Sequence, residues 1–274
     1  MLNKVPEVTL YFWIIKIMAT TVGETAADYL NVNLGFGLTN TTYVVGALLL
    51  AILGFQFKAT KYVPGIYWTA IVFISVVGTL ITDNLVDNFA VSLVTTTVAF
   101  SVALAATFAA WFVSERTLSI HTIITSRREG FYWLTILFTF ALGTAAGDLF
   151  AERLSLGYWV SALLFGTVIA IIASAHFRLK LNPVLSFWLA YILTRPLGAS
   201  IGDYLSQPHS NGGLGLGTTG TSALFLTTIL GLVTYLAITK KDQTPAEVIF
   251  AQLSDREPSP KRWDGPLEVA HEKA

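Results

Sequence analysis

Long apolar runs alternate with short polar breaks along the chain, and eight of the runs have the length of a helix. They lie near residues 7–29, 39–57, 66–86, 89–113, 131–150, 157–177, 184–205 and 218–239. Segments 89–112 and 218–238 carry no charge and reach the roughly 20 residues that a helix needs to cross a bilayer. The pattern predicts an all-α polytopic membrane protein with eight transmembrane helices. Even-numbered runs are plain, rich in Leu, Val, Ala and Thr, as lipid-facing or packing helices are. Odd-numbered runs carry polar residues at regular places.

Those places repeat. Trp13, Gly23 and Asp28 stand at a spacing of ten and then five residues, and Trp68, Gly78 and Asp83 keep it. So do Trp133, Gly143 and Asp148, and Trp188, Gly198 and Asp203. The copies begin 55, 65 and 55 residues apart, so the first two match the last two at an offset of 120. Fixed-period self-similarity dictates architecture before any other signal does. Each repeat reads as one helical hairpin, an odd helix followed by an even one, over residues 7–62, 63–126, 127–182 and 183–239. Two passes return the chain to its starting side, so the four hairpins share one orientation about an axis along the membrane normal. The simplest arrangement is a pseudo-fourfold bundle with odd helices inside and even helices outside.

The tandem two-helix repeat with one tryptophan each, at Trp13, Trp68, Trp133 and Trp188, resembles the bacterial DUF347 repeat family of uncharacterised membrane proteins. The resemblance implies the architecture and no particular chemistry.

Composition agrees with a membrane setting. Of 274 residues 54% are hydrophobic and 12% charged, with a mean hydropathy of +0.63; a soluble domain carries about 25% charge. The absence of cysteine excludes disulfides and thiolate metal sites. The first apolar run carries the repeat and has no clear cleavage site, so no signal peptide is expected. Positive charge falls on alternate loops: Lys4, Lys58 and Lys61, then Arg116, Arg127 and Arg128, then Arg178 and Lys180, then Lys240 and Lys241. The opposite loops hold Asp87, Glu152, a lone Arg153 and the Gly-rich turn 211–217. The positive-inside rule puts both termini in the cytoplasm of an inner-membrane protein. Residues 240–274 read as a flexible cytoplasmic tail, with Trp263 a candidate docking point.

At about 100° per residue, Trp, Gly and Asp of one repeat share an arc of about 140°. Positions three, seven and eleven after each Trp fall inside it: Lys16, Thr20 and Glu24; Ile71, Ser75 and Thr79; Ile136, Phe140 and Thr144; Tyr191, Arg195 and Ala199. Polar groups in a membrane helix face the bundle interior, so this stripe points inward. The glycines are expected to serve close helix packing, and the tryptophans an aromatic belt or packing. Asp28, Asp83, Asp148 and Asp203 would form a ring near the outer face, with Glu24 one turn deeper. Acidic rings build cation selectivity, and oxygen ligands suit hard ions such as Mn²⁺, Mg²⁺ or Ca²⁺, and also Na⁺ or H⁺. The four Asp are therefore candidate ligands of a bound divalent cation, with Thr20, Ser75, Thr79 and Thr144 adding hydroxyls. Lys16 and Arg195, near mid-membrane, would pair with the acids, act as counter-charges that empty the site, or anchor an anionic substrate.

No nucleophile–base pair, nucleotide loop or nucleic-acid motif stands out, and no two histidines have metal-ligand spacing. The expected partners are the bilayer and a small cation or small-molecule substrate. The leading expectation is a non-enzymatic transporter or channel for a hard divalent cation, with proton coupling. The alternatives are a proton-coupled carrier of a small organic anion held by Lys16 and Arg195, and a non-transporting scaffold or sensor.

Overall fold

The computed structural model describes residues 2–244, the side chains of 152 and 153 excepted; the expected tail beyond residue 244, Trp263 included, lies outside them. Among the described residues there are eight α-helices and no strands. They are α1 (Leu10–Asp28), α2 (Leu38–Lys58), α3 (Pro64–Asp83), α4 (Leu93–Glu115), α5 (Ser126–Asp148), α6 (Tyr158–Leu179), α7 (Pro183–Ser206) and α8 (Gly217–Thr239). Local chemistry sets their ends. The Thr9, Ser92, Thr125 and Asn182 side chains accept from first-turn amides, and proline opens α3 and α7, where its missing N–H costs nothing. Arg116, Lys180 and Lys240 close α4, α6 and α8 in the left-handed conformation, placing cations beside the carbonyl ends of the helix dipoles.

Seven helices, all but α1, are long and apolar enough to cross a membrane, and the chain is a helical membrane protein. Lys16, Glu24 and Asp28 make α1 the exception. Burial separates the two kinds of helix. In the most apolar window of α2, α4 and α6 17% of residues are buried, and 22% in α8; the values are 67% for α3 and 56% for α5 and α7. Odd helices form the interior and even helices present themselves to lipid.

Each odd helix packs against two odd neighbours, in the order α1, α3, α5, α7 and back to α1. The even helices depart from the hairpin expectation. α2 packs chiefly on α3, α4 on α5, α6 on α7 and α8 on α1, so the second helix of each repeat lies against the first helix of the next. The reason is lateral. A face of each odd helix is already taken by odd neighbours, and the even helix covers the seam the next repeat leaves open.

Where the odd helices begin, the N-terminal segment is bound into the bundle. The Lys4 amide bonds to Ile123 O and the Tyr62 amide to Asn3 O, both at 3.1 Å. Lys4, one of the basic residues outside the apolar runs, is buried: its Nζ lies 2.7 Å from Glu129 Oε2 and donates to Phe57 O at 3.0 Å. Gln56 Nε2 donates to the other Glu129 oxygen at 3.2 Å. Such pairing offsets the cost of taking both ions out of water.

The far end of α8 is tied to the same place. Tyr62 Oη donates to Asp242 Oδ2 at 2.6 Å and accepts from Trp68 Nε1 at 3.1 Å. Burial pushes the Asp242 carboxyl above the usual carboxylate range, and burial together with Asp242 pushes the Tyr62 phenol up. The protonated Asp242 therefore docks best. This contribution is full below the ordinary carboxylate pKa and fades as pH rises through the raised value. Tyr62→Phe should cost about 2 kcal/mol, because it strands two buried polar groups. Thermal unfolding in detergent should show a loss of stability with rising pH that Asp242→Asn abolishes.

Candidate functional site

The interior is a stack of four-residue layers, one residue from each odd helix. All twelve residues of the expected stripe, at positions three, seven and eleven after each Trp, are buried, none more than 7% exposed. An aromatic layer that sequence reasoning missed lies below them. The residue before each Trp is Phe12, Tyr67, Tyr132 or Phe187, and all four are buried. Each ring meets the Trp of the next repeat: Phe12 with Trp68 and Tyr67 with Trp133 at 5.6 Å, Tyr132 with Trp188 at 6.3 Å, and Phe187 with Trp13 at 5.7 Å. Tyr67 and Tyr132 share a hydrogen bond of 2.5 Å between their hydroxyls. The signal was present as an aromatic residue preceding every Trp. This collar closes the bundle near the helix starts, and the tryptophans are packing residues within it.

The register glycines have an equally regular role. A Cβ on Gly23 would fall 2.6 Å from Ser75 Cβ, on Gly78 2.6 Å from Phe140 Cβ, on Gly143 2.5 Å from Arg195 Cβ and on Gly198 2.7 Å from Thr20 Cβ. In each case the position-seven residue of the next odd helix sits in the glycine's notch. The notches hold the helices at a separation that any side chain would prevent. Thr21 Oγ1 donates to Gly198 O and Thr82 Oγ1 to Ala141 O, both at 3.0 Å, so two of these contacts carry an interhelical hydrogen bond.

Arg195 turns packing into a site. It is wholly buried, and its Nη2 donates to Glu24 Oε2 at 2.8 Å, to Thr144 Oγ1 at 2.7 Å and to Thr79 Oγ1. Its Nη1 donates to Thr20 O at 3.2 Å. Glu24, Thr79 and Thr144 are the position-eleven residues of α1, α3 and α5; the fourth is Ala199. The two threonines donate their own protons to carbonyls one turn back, Ser75 O and Phe140 O, which leaves their oxygens to accept from the guanidinium. Pro196 is accommodated inside an α7 helix that runs on to Ser206.

Lys16 departs from the expected pairing. Its Nζ is buried without a hydrogen-bond partner and lies 4.1 Å from the Phe140 ring centre and 4.3 Å from that of Tyr191. Glu24 is eight residues further along α1, about 12 Å away, and Arg195 occupies the level between. The ring faces supply the attraction that carboxylates do not. Ser75 Oγ and Arg195 Nε are buried without partners as well. Thr20 and Ser75, expected as ion ligands, act as knobs in the glycine notches. The Thr20 hydroxyl is spent on Ile17 O and Thr194 O, at 2.5 and 3.2 Å.

The four aspartates end the stack. Asp203 is buried, and Asp28, Asp83 and Asp148 are half-buried. Asp83 lies within Coulombic reach of Glu24, Asp148 and Asp28. Yet among the described residues no three His, Asp or Glu side chains gather closely enough to hold one metal ion. The geometry explains this. A step of four residues advances about 40° around a helix, so a stripe centred on positions three to eleven has turned off the axis by position fifteen. Mutual repulsion of carboxylates favours the same spread.

Three of the four aspartates also mark a change of helix. After Asp28, Asp83 and Asp148 the chain continues as one π-helical turn, Tyr29–Asn33, Asn84–Asn88 and Leu149–Arg153. Each is closed by a bond across five residues: Leu34 N to Tyr29 O, Phe89 N to Asn84 O and Leu154 N to Leu149 O, at 3.0 to 3.1 Å. Such turns are rare and recur at functional sites.

The arrangement defines a helical membrane protein built from internal repeats around a buried guanidinium–carboxylate centre. The family described as Repeat of Unknown Function (DUF347) matches four times, at residues 11–62, 66–117, 131–182 and 186–242, and the chain belongs to that family. Comparison with curated proteins and with solved structures returns no match.

Proposed function

We propose that this protein is a cation carrier of the bacterial inner membrane, with eight transmembrane helices in a pseudo-fourfold bundle and both termini in the cytoplasm. The closed cycle of odd helices, repeated at the aromatic collar and the glycine notches, supports the symmetry. The alternation of basic loops supports the orientation, which turns the aspartates outward. One observation carries the function. Carboxylate, hydroxyl and carbonyl oxygens from three helices converge on a single point, and the protein's own cation, the Arg195 guanidinium, occupies it. The same oxygen set suits a hard divalent ion such as Mn²⁺ or Mg²⁺, held with part of its water shell. In this reading Asp28, Asp83, Asp148 and Asp203 concentrate cations at the mouth, and the incoming ion displaces Arg195 from Glu24. Arg195 returns when the ion leaves, and proton exchange at the acidic cluster couples the cycle to H⁺. A guanidinium fixed on the path and the closed collar favour a carrier over an open channel.

Full-length protein in liposomes should take up Mn²⁺ against a dye reporter, and Glu24→Gln should reduce the initial rate at least tenfold. Undiminished uptake by Glu24→Gln would refute the reading. The partnerless Lys16 Nζ and Arg195 Nε favour one other substrate, a small organic anion. Flux of such an anion that is lost in Lys16→Met, with no Mn²⁺ flux in the parent, would select it.

A further inference from the structure

The second and third repeats are separated by ten residues more than the other neighbouring pairs. Half or more of the extra length lies between α4 and α5, joined by residues 116–125 where α2 and α3 are joined by residues 59–63, and there the chain folds back as a short 3-10 turn over Ile120–Thr122. Leu118 O accepts from Trp188 Nε1 at 2.9 Å and pins this loop beneath α7. It thereby floors a cavity of about 670 Å³ between α1, α6 and α7, within the ~300–1,000 Å³ typical of sites for small organic molecules. Trp13, Ile17, Ile169, Ile172, Phe187 and Ala190 form its walls. Trp13 is the one register tryptophan that is half-exposed rather than buried, and the cavity is why. The lips include Leu10 and Phe177, 73% and 80% exposed, so the cavity opens sideways at the level of the helix ends.

We infer that this cavity binds the hydrocarbon chain of an anionic amphiphile, a fatty acid or an anionic phospholipid, with its head at the rim formed by α6 and the loop. The walls offer mainly apolar contact, which suits an acyl chain entering through the lateral mouth. The rim supplies the opposite chemistry. His176 Nδ1 donates to Leu181 O at 3.2 Å, which leaves Nε2 for a ligand, and exposed Arg178 follows two residues on, outside the cavity lining. Ser119 and Ser186 add hydroxyls. His121 also lines the rim but faces Glu7 at 3.3 Å, so His176 is the head-group partner in the lining, and Arg178, outside it, adds positive charge on the last turn of α6. The deep end reaches Ile17 and Thr194, whose carbonyls hold the Thr20 hydroxyl. A bound chain thus presses on the turn whose next contact is Arg195. This inference does not rest on the transport reading.

The test is photo-crosslinking of the full-length protein in phosphatidylcholine vesicles. One arm uses a diazirine-bearing palmitic acid, the other a phosphatidylglycerol with the same chain, and labelled residues are mapped by mass spectrometry. Label should concentrate at least fivefold on Trp13, Ile17 and Ile172 relative to Val98 and Val102, which face lipid on α4. Ala190→Trp, or Ala173→Leu should the first fail to fold, should abolish the excess. His176→Ala combined with Arg178→Ala should weaken competition by unlabelled palmitate at least threefold. Label in the palmitate arm alone assigns a free fatty acid, and label in the phosphatidylglycerol arm alone a resident lipid. Label no denser in the cavity than on α4 in both arms would overturn the inference, whatever the outcome of the ion-flux assay.

Discussion

Arg195→Met should lower the unfolding free energy by about 3–5 kcal/mol, the cost of leaving a buried carboxylate without its partner. Glu24 is 7% exposed, and among the described residues only the guanidinium bears the opposite charge at hydrogen-bonding distance. SDS titration in mixed micelles would measure the loss. The double variant Glu24→Gln/Arg195→Met should recover most of it, because replacing both members of a buried pair is often neutral or better. That recovery separates two roles the pair could have. If the pair only holds the helices together, a stable double variant keeps whatever activity the parent has. If the oxygen set is the ion's site, the double variant folds and carries nothing. A loss below about 1 kcal/mol in the single variant would mean that solvent reaches the pair and that the centre is wet rather than sealed by Arg195.

Much of this centre was legible in the sequence, and the reasons are specific. The Trp–Gly–Asp spacing recurs inside apolar runs, and residues seven and eleven beyond each Trp lie on the same helical face, so Glu24, Thr79, Thr144 and Arg195 could be placed on a common interior stripe. Spacing along one helix says nothing about which helix comes next, however. That Arg195 fills the notch of Gly143 while Thr20 fills that of Gly198 is a property of the closed cycle. So is the exchange of even helices between repeats. Among the described residues the aspartates do not gather as a cluster of three, for a geometric reason: a four-residue step slips by about 40°, and five layers cannot all point at one axis. Lys4 could be read only as one of the basic loop charges, because its partner, Glu129, stands 125 residues away. A lone acid at the start of α5, directly after two arginines, was the available hint.

The exchange of even helices makes the repeats interdependent. α8 lies on α1, so the last repeat completes the first, and a segment lacking either end exposes an interior face. Stability in such a ring is shared across interfaces, unlike the nearest-neighbour sum of an open solenoid.

The glycine notches give this its sharpest measurement. Gly23→Leu should destabilise the protein by about 3 kcal/mol, at the upper end of the usual cost of overpacking, because the notch already holds Ser75. Ser75 Cβ and its own backbone carbon would lie 2.6 and 3.0 Å from a Cβ at position 23. Backbone cannot rotate away, so α1 and α3 must part, and with them Glu24 and Thr79. Helix propensity runs the other way, since alanine is better than glycine by about 1 kcal/mol in a helix. Gly23→Ala is therefore the discriminating variant. If packing governs, it destabilises, and Ser75→Gly in the same chain relieves it, with a coupling of about 1–3 kcal/mol in a double-mutant cycle. If the glycine serves backbone flexibility instead, Gly23→Ala stabilises and the two substitutions add. Unfolding titrations of the four proteins decide between these, and the notch predicts the first.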